Sequence, residues 1–301
     1  MARFDERATQ PARGPRDMLR WKFGKKEPKD RAIDSVRPLH VAGGADAIAS
    51  GAPVACWIGH ASWAFRLGGT LAVIDPIFGA IGGVVRRLVP AGLAASELAP
   101  DVVMVTHDHR DHMDLPSLRA LGSAPTYVVP LGNRSRVDFA PNVIELDWWE
   151  STKIGALDIT LVPARHWSMR APWNRNDTLW GGFVVRGPEG TVYHSGDTAW
   201  GDHFAEIGAR CGAIDWAMLP IGGYAPRWFM EPQHVDPDEA GRAFLALGAK
   251  RLLAMHWGTF RLTDEPVGEP PARLRAFWRA HELDDDRLWI LDAGEARPLS
   301  G

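Results

Sequence analysis

The sequence predicts an α/β protein: a sandwich of two mixed β-sheets with helices on the outer faces, folded as one domain. Three observations carry this expectation. Short β-prone runs recur through both halves of the chain, and helix-forming stretches fall between and after them. One uninterrupted apolar run, residues 102–106, stops at a cluster of ionisable side chains, as a buried strand does at its functional end. With 301 residues, 46% of them hydrophobic and 24% charged, the chain is long enough for the core such a fold needs.

Residues 1–50 read as a polar, basic lead segment with little periodicity, in which 17–23, around Trp21, suits one short helix. Residues 51–301 are expected to form the domain itself. After Pro53 the runs 54–58, 62–67 and 71–75 are separated by Gly-containing turns, the pattern of an antiparallel meander. Residues 76–100 are an apolar insert punctuated by Gly and Pro, with Arg86 and Arg87 in its middle. The buried run 102–106 follows. Further strands are expected at 126–129, 157–162, 179–185, 191–194, 216–219, 252–255 and 288–291. Helices are expected at 116–121, 203–209, 237–247 and 271–280. The third has Asp236 as N-cap and Pro237 at its first position, where a missing N–H costs nothing.

Composition excludes several classes. Cys56 and Cys211 are the only cysteines and stand far apart, so neither a disulfide scaffold nor a Cys-based zinc ribbon is available. A net charge of -3 does not suit a general nucleic-acid binder, although residues 1–40 carry 11 Lys+Arg against 6 Asp+Glu, leaving -8 on the remainder. No apolar stretch reaches membrane-spanning length, and no apolar run follows the basic N-terminus, so a cytoplasmic protein without a signal peptide is expected. The 14 Trp are mostly expected in the core.

The strongest chemical signal is His107-Asp108-His109-Arg110-Asp111-His112. Neutral imidazoles and a carboxylate are the ligands of a catalytic zinc, and a loop leaving a strand can turn them towards one point, whereas a helix would spread them. The pattern arises in roughly one random chain per thousand, so an incidental polar loop is a poor account of it. Six residues cannot complete two metal sites. His166, Asp197 and His256 each follow a β-prone run and are candidates for the rest.

This series, H-x-H-x-D-H, then a His, an Asp in Gly196-Asp197-Thr198 and a final His, resembles the ligand series of the metallo-β-lactamase superfamily. Longer blocks narrow the match: Trp57-Ile58-Gly59-His60-Ala61, Asp75-Pro76-Ile77-Phe78, residues 145–150, residues 220–230, Gln233-His234-Val235-Asp236-Pro237 and His256-Trp257-Gly258-Thr259-Phe260. They are similar to N-acyl-phosphatidylethanolamine-hydrolysing phospholipase D, in a bacterial-type relative. The resemblance implies an αββα sandwich holding two Zn²⁺ per chain: one on His107, His109 and His166, the other on Asp111, His112 and His256, with Asp197 bridging. It implies a phosphodiesterase in which hydroxide held between the metals attacks phosphorus, releasing phosphatidic acid and an N-acylethanolamine. Asp197, Asp111 and His234 would serve catalysis, His234 by substrate contact or by supporting a ligand, and His60 would be a buried support. A phospholipid substrate, peripheral membrane contact and a homodimer are implied too, with no nucleic acid.

The chain departs from the animal enzymes at Ala199-Trp200 and at Arg165, where they carry an amide side chain; such changes touch the pocket more than the metals. Asp108 and Arg110 are expected to point away from the metals. Residues 77–93 have two readings, a membrane-facing border of the cleft or a loop packed on the core. Three other functions compete: a lactonase or β-lactamase on the same scaffold, a metallo-nuclease, and a non-catalytic metal- or lipid-binding module.

Overall fold

The meander after Pro53 forms β1 (Val54–Gly59), β2 (Ser62–Leu67) and β3 (Thr70–Ile74), which pair antiparallel in that order. These strands come from a computed structural model that describes residues 3–8, 13–26 and 28–300. Beyond β3 the sheet turns parallel through β4 (Val102–Met104), β5 (Thr126–Pro130) and β6 (Val143–Leu146). A second seven-stranded sheet mirrors it. There β7 (Ser151–Ile154), β8 (Leu157–Val162), β9 (Gly182–Gly187) and β10 (Gly190–His194) are antiparallel, and β11 (Trp216–Pro220), β12 (Arg251–Met255) and β13 (Leu288–Trp289) continue in parallel. The last strand, β14 (Ala296–Pro298), returns to pair with β1 at the edge of the first sheet.

Both sheets are mixed, as the sequence predicts, and their facing surfaces bury one large apolar core that includes Trp57, Trp63, Phe65, Phe183, Tyr193 and Met218. Such continuous burial is why these strands read as unbroken apolar runs rather than alternating ones. Six of the 14 Trp are buried, seven are half-buried and only Trp173 is exposed, so packing accounts for most of them.

Helices cover the outer faces. A smaller apolar cluster lies under α3 (Gly44–Ala49) and α4 (Leu115–Ala120), through Ile48 and Leu118. The second sheet is covered by α5 (His203–Cys211), α7 (Pro237–Leu247) and α8 (Glu269–Ala280); Phe244 of α7 and Trp278 of α8 pack with tilted rings, centroids 4.9 Å apart. Asp236 caps α7 by accepting from the Glu239 N–H, as expected of that N-cap. The short α6 (Arg227–Met230) was not anticipated, nor were β6, β7 and β14, which are too short or too polar to announce themselves.

The first fifty residues hold more order than one helix. Besides α1 (Pro15–Phe23), they form α2 (Arg31–Ser35) and α3, and Phe4 reaches the main core. The apolar insert is largely a covering loop. Ile77, Ile81, Val89 and Leu93 are buried, and Arg87 ties it down by donating to the carbonyls of Ile58, Ile77 and Val89. Its tip, with Val84 and Arg86, is exposed.

At Gly92 the insert crosses the end of β1 too closely for a side chain. A Cβ there would stand 2.1 Å from Gly294 N and 2.6 Å from Trp57 O, all backbone atoms that cannot yield. Gly92→Ala is therefore expected to destabilise the protein by about 1–3 kcal/mol, the usual range for overpacking, read as a lowered midpoint in thermal unfolding.

Candidate metal centre

All the candidate residues follow the carboxyl ends of strands at one edge of the sandwich. His60 follows β1, Asp75 follows β3, and the 107–112 loop lies just beyond β4. His166, Asp197, His234 and His256 lie beyond β8, β10, β11 and β12. The two sheets thus contribute opposite walls of one site. His60, Asp75 and His256 have left-handed backbones, with φ of 55°, 45° and 60°. Such strain at non-glycine residues persists only where the surroundings enforce it. Here the enforcing bonds run from Thr259 Oγ1 to the His60 N–H, from His60 O to the His256 N–H and from Met104 O to the Asp75 N–H.

The structure gathers two groups whose ligand atoms all lie within 4.8 Å of one another: His107, His109, His166 and Asp197, and beside them His60, Asp111, His112 and His256. Asp197 joins the two. Its Oδ2 is 3.2 Å from His112 Nε2 and 3.9 Å from both His107 Nε2 and His166 Nε2, and its Oδ1 is 3.2 Å from His256 Nε2.

The donor set fits divalent cations. The other nitrogen of three rings is held by the chain: His107 Nδ1 bonds Thr106 Oγ1 at 3.0 Å, His112 Nδ1 bonds Asp75 Oδ2 at 2.7 Å, and His166 Nδ1 bonds Gln233 O at 3.0 Å. That fixes their tautomers and turns each Nε2 inwards. His109 turns its Nδ1 to the same space, 2.9 Å from His107 Nε2 and 3.2 Å from His166 Nε2, and there the buried His112 Nε2, His256 Nε2 and Asp197 Oδ1 have no hydrogen-bond partner among the described residues. Groups this close and this buried, yet not hydrogen-bonded, converge on space between them that suits a cation.

Electrostatics agree. Burial depresses His107 well below the ordinary range and takes His109 to about 4 and His166 to about 3, so these rings are neutral and their lone pairs are free. Burial would raise Asp111 and Asp197, but the surrounding imidazoles outweigh it and hold both well below the usual carboxylate range. For His112 and His256 burial is overcome by the facing carboxylates, which raise the first well above its usual value and the second to about 9. Positive charge is favoured where those two rings meet Asp111 and Asp197.

The remaining candidates sort themselves by contact. His60 Nε2 lies 3.2 Å from Asp111 Oδ2 and its ring lies 4.0 Å from that of His256. His234 stands on the other side, its Nδ1 3.8 Å from Asp197 Oδ2 and without a hydrogen bond. Asp108 is turned into the body, where Arg136 pairs with it at 2.8 Å. Arg110 instead lines the mouth of the site.

Sequence reasoning singled out no role for Asp75, Thr106 or His194. Asp75 accepts from the Thr106 N–H, the Thr106 hydroxyl and His112. His194 accepts from the Gly196 N–H at 3.1 Å and donates to Ala61 O at 2.9 Å, tying the Asp197 loop to the β1–β2 turn. The signal for Asp75 was present in Asp75-Pro76, an ionisable residue at the end of a buried strand.

Comparison with known proteins identifies the family and the fold. Residues 71–257 match the β-lactamase superfamily domain. An uncharacterized protein of Mycobacterium tuberculosis is 37% identical over 238 residues, 73% of this chain and 62% of the relative, so the match spans less than two thirds of that protein. An N-acyl-phosphatidylethanolamine-hydrolyzing phospholipase D of Caenorhabditis elegans is 32% identical over 293 residues, 89% of this chain and 82% of the relative. Igni18, a metallo hydrolase from the archaeon Ignicoccus hospitalis, superposes with a TM-score of 0.63 at 21% identity, covering 81% of this chain and 97% of its own, and shares the fold. The chain belongs to the β-lactamase superfamily of metal-dependent hydrolases, and within it to the family of the N-acyl-phosphatidylethanolamine-hydrolysing phospholipases D.

Proposed function

We propose that the protein is a zinc-dependent phosphodiesterase of the phospholipase D type, acting on N-acyl-phosphatidylethanolamine-like lipids. The observation that carries this is the joined pair of His-rich clusters at the floor of an open cavity of about 350 Å³, whose upper walls are apolar. Met18, Trp21, Phe229, Met230 and Leu262 supply those walls. A polar floor under an apolar corridor suits a substrate with a charged reacting group and a hydrocarbon body.

His107, His109 and His166 would hold one Zn²⁺, Asp111, His112 and His256 the second, and Asp197 would contact both. Bound there, the two ions lower the pKa of a water and polarise the phosphoryl oxygens. The protein's own groups do the positioning. Asp197 stays ionised and is fixed between the imidazoles that surround it. His234, depressed to about 3 by burial, presents a neutral ring to the same space and would contact the phosphodiester. Asp111 is steadied by His60. The apolar walls limit water at the reacting phosphorus. Water adds to phosphorus, the bond from phosphorus to the ethanolamine oxygen breaks, and the proton ends on that oxygen.

A lipid surface is the natural place for such a substrate. Several large apolar side chains face solvent, most of all Phe23 at 83% exposure, Val84 at 81% and Trp173 at 85%. Arg86 is exposed two residues after Val84, and Arg110 lines the mouth of the site. Exposed apolar side chains with basic neighbours suit peripheral contact with an anionic interface. No helix among the described residues is long and apolar enough to cross a membrane.

The test is phosphatidic acid release from N-acyl-phosphatidylethanolamine in mixed micelles, followed by mass spectrometry. Zinc-loaded protein is expected to release it and chelated protein is not. Zinc-dependent opening of a lactone without phosphatidic acid release would instead favour a carbonyl-directed hydrolase.

A further inference from the structure

The helix α1 forms part of the wall above the metal centre, and it does so without entering the core. None of its residues is buried, yet Met18 and Trp21 line the same cavity as His109, Asp111, Asp197, His234 and His256. An amphipathic helix on a globular body ordinarily buries its apolar stripe. Here Leu19 and Phe23 face solvent while Met18 and Trp21 face the cavity.

What fastens α1 is a small set of contacts grouped around one side chain. The Trp21 ring stacks on Phe229 with centroids 5.0 Å apart, and Trp21 Nε1 donates to Asp264 Oδ2 at 2.8 Å. Lys26, just beyond the helix, reaches the same Asp264 oxygen at 2.6 Å. Arg20 lies over the Trp228 ring at 4.4 Å, and Arg13 donates to the carbonyls of Trp228 and Phe229. All these anchors are on the 228–229 segment and Asp264, which belong to the walls and not to the candidate ligand set.

We propose that α1 is the chain-selecting wall of the site: Trp21, held by Asp264 and stacked on Phe229, packs against the hydrocarbon portion of the substrate next to its phosphoryl group. This rests on the phosphodiesterase reading of the centre. The cavity, at about 350 Å³, falls at the lower end of the size range of small-ligand sites. Its apolar surface lies above the clusters, and Trp21, Met18, Phe229, Met230 and Leu262 face it. A chain attached to a phosphoryl group at the floor must leave past these residues. Each methylene buried there adds about fourfold in affinity.

The prediction is a slope rather than a single affinity. Binding of n-alkyl phosphates, from ethyl to dodecyl and below their micelle-forming concentrations, is measured by titration calorimetry on the zinc-loaded full chain. Wild-type affinity is expected to climb about fourfold per methylene over the first several carbons and then level off. Trp21→Ala removes the wall, and Asp264→Ala keeps Trp21 but removes its acceptor. Both are expected to flatten the slope while leaving inorganic phosphate binding and zinc content within about twofold of wild type. Wild-type affinity that ignores chain length, absence of any binding, or a wild-type slope retained in both variants would overturn the proposal. Because the readout is binding, a steep slope without phosphatidic acid release would sink the substrate assignment and leave the wall standing.

Discussion

Asp197→Asn is expected to abolish hydrolysis and to lower bound zinc from two per chain to at most one. The carboxylate is the one group shared by both clusters, touching His112 and His256 at 3.2 Å through different oxygens. Asparagine keeps the shape but removes the charge and replaces one acceptor with an N–H donor. Loss of a mere outer partner of a metal ligand costs about ten- to a hundredfold in affinity or activity, and on the proposed reading Asp197 would be a ligand itself. A loss above about a hundredfold in turnover is therefore the expected magnitude. Zinc per chain after dialysis against buffered free zinc, with circular dichroism to verify folding, checks it. A variant that kept two zinc ions and normal turnover would remove Asp197 from the account.

Asp75→Ala is expected to have the largest effect on stability. The fully buried carboxylate satisfies the Thr106 N–H, the Thr106 hydroxyl and His112 Nδ1, with distances of 2.6–2.7 Å. Removing one partner of a buried ionic pair costs about 3–5 kcal/mol, because the other is left uncompensated. The metal-free protein should show this as a clear fall in its unfolding midpoint. Asp75→Asn, which fills the same space, should lose less stability but still weaken zinc at the His112 cluster by about ten- to a hundredfold. An unchanged zinc affinity in Asp75→Asn would show that His112 is oriented by packing alone.

Much of this was legible in the sequence, for physical reasons that differ by element. The helix at α7 was bounded correctly because Asp236, Pro237 and Gly248 punctuate both its ends. Strands β2 and β8 were equally plain, β8 from the alternation of Leu157, Ile159 and Leu161 with Asp158 and Thr160. Strands β6, β7 and β14 were not, since pairing across the sheet rather than composition makes them strands. Strand β9 was expected three residues early, because 179–181 are apolar and buried but lead into the strand rather than forming it.

In the site, the residues that the motif and the family resemblance named are the ones the fold brings within reach of each other. Asp75 and His194 escaped because their importance lies in bonds across 37 and 133 positions of chain, which no local pattern displays. The role of α1 was hidden for a similar reason. A short helix in a basic lead segment looks like a solvated tail until the stack on Phe229 places it over the site.

The measurement that bears most directly on the account is a zinc titration of the metal-free protein with phosphatidic acid release followed at each step. Release that rises with added zinc and levels off at two equivalents per chain is the predicted result. Two equivalents bound without any release from N-acyl-phosphatidylethanolamine would contradict it.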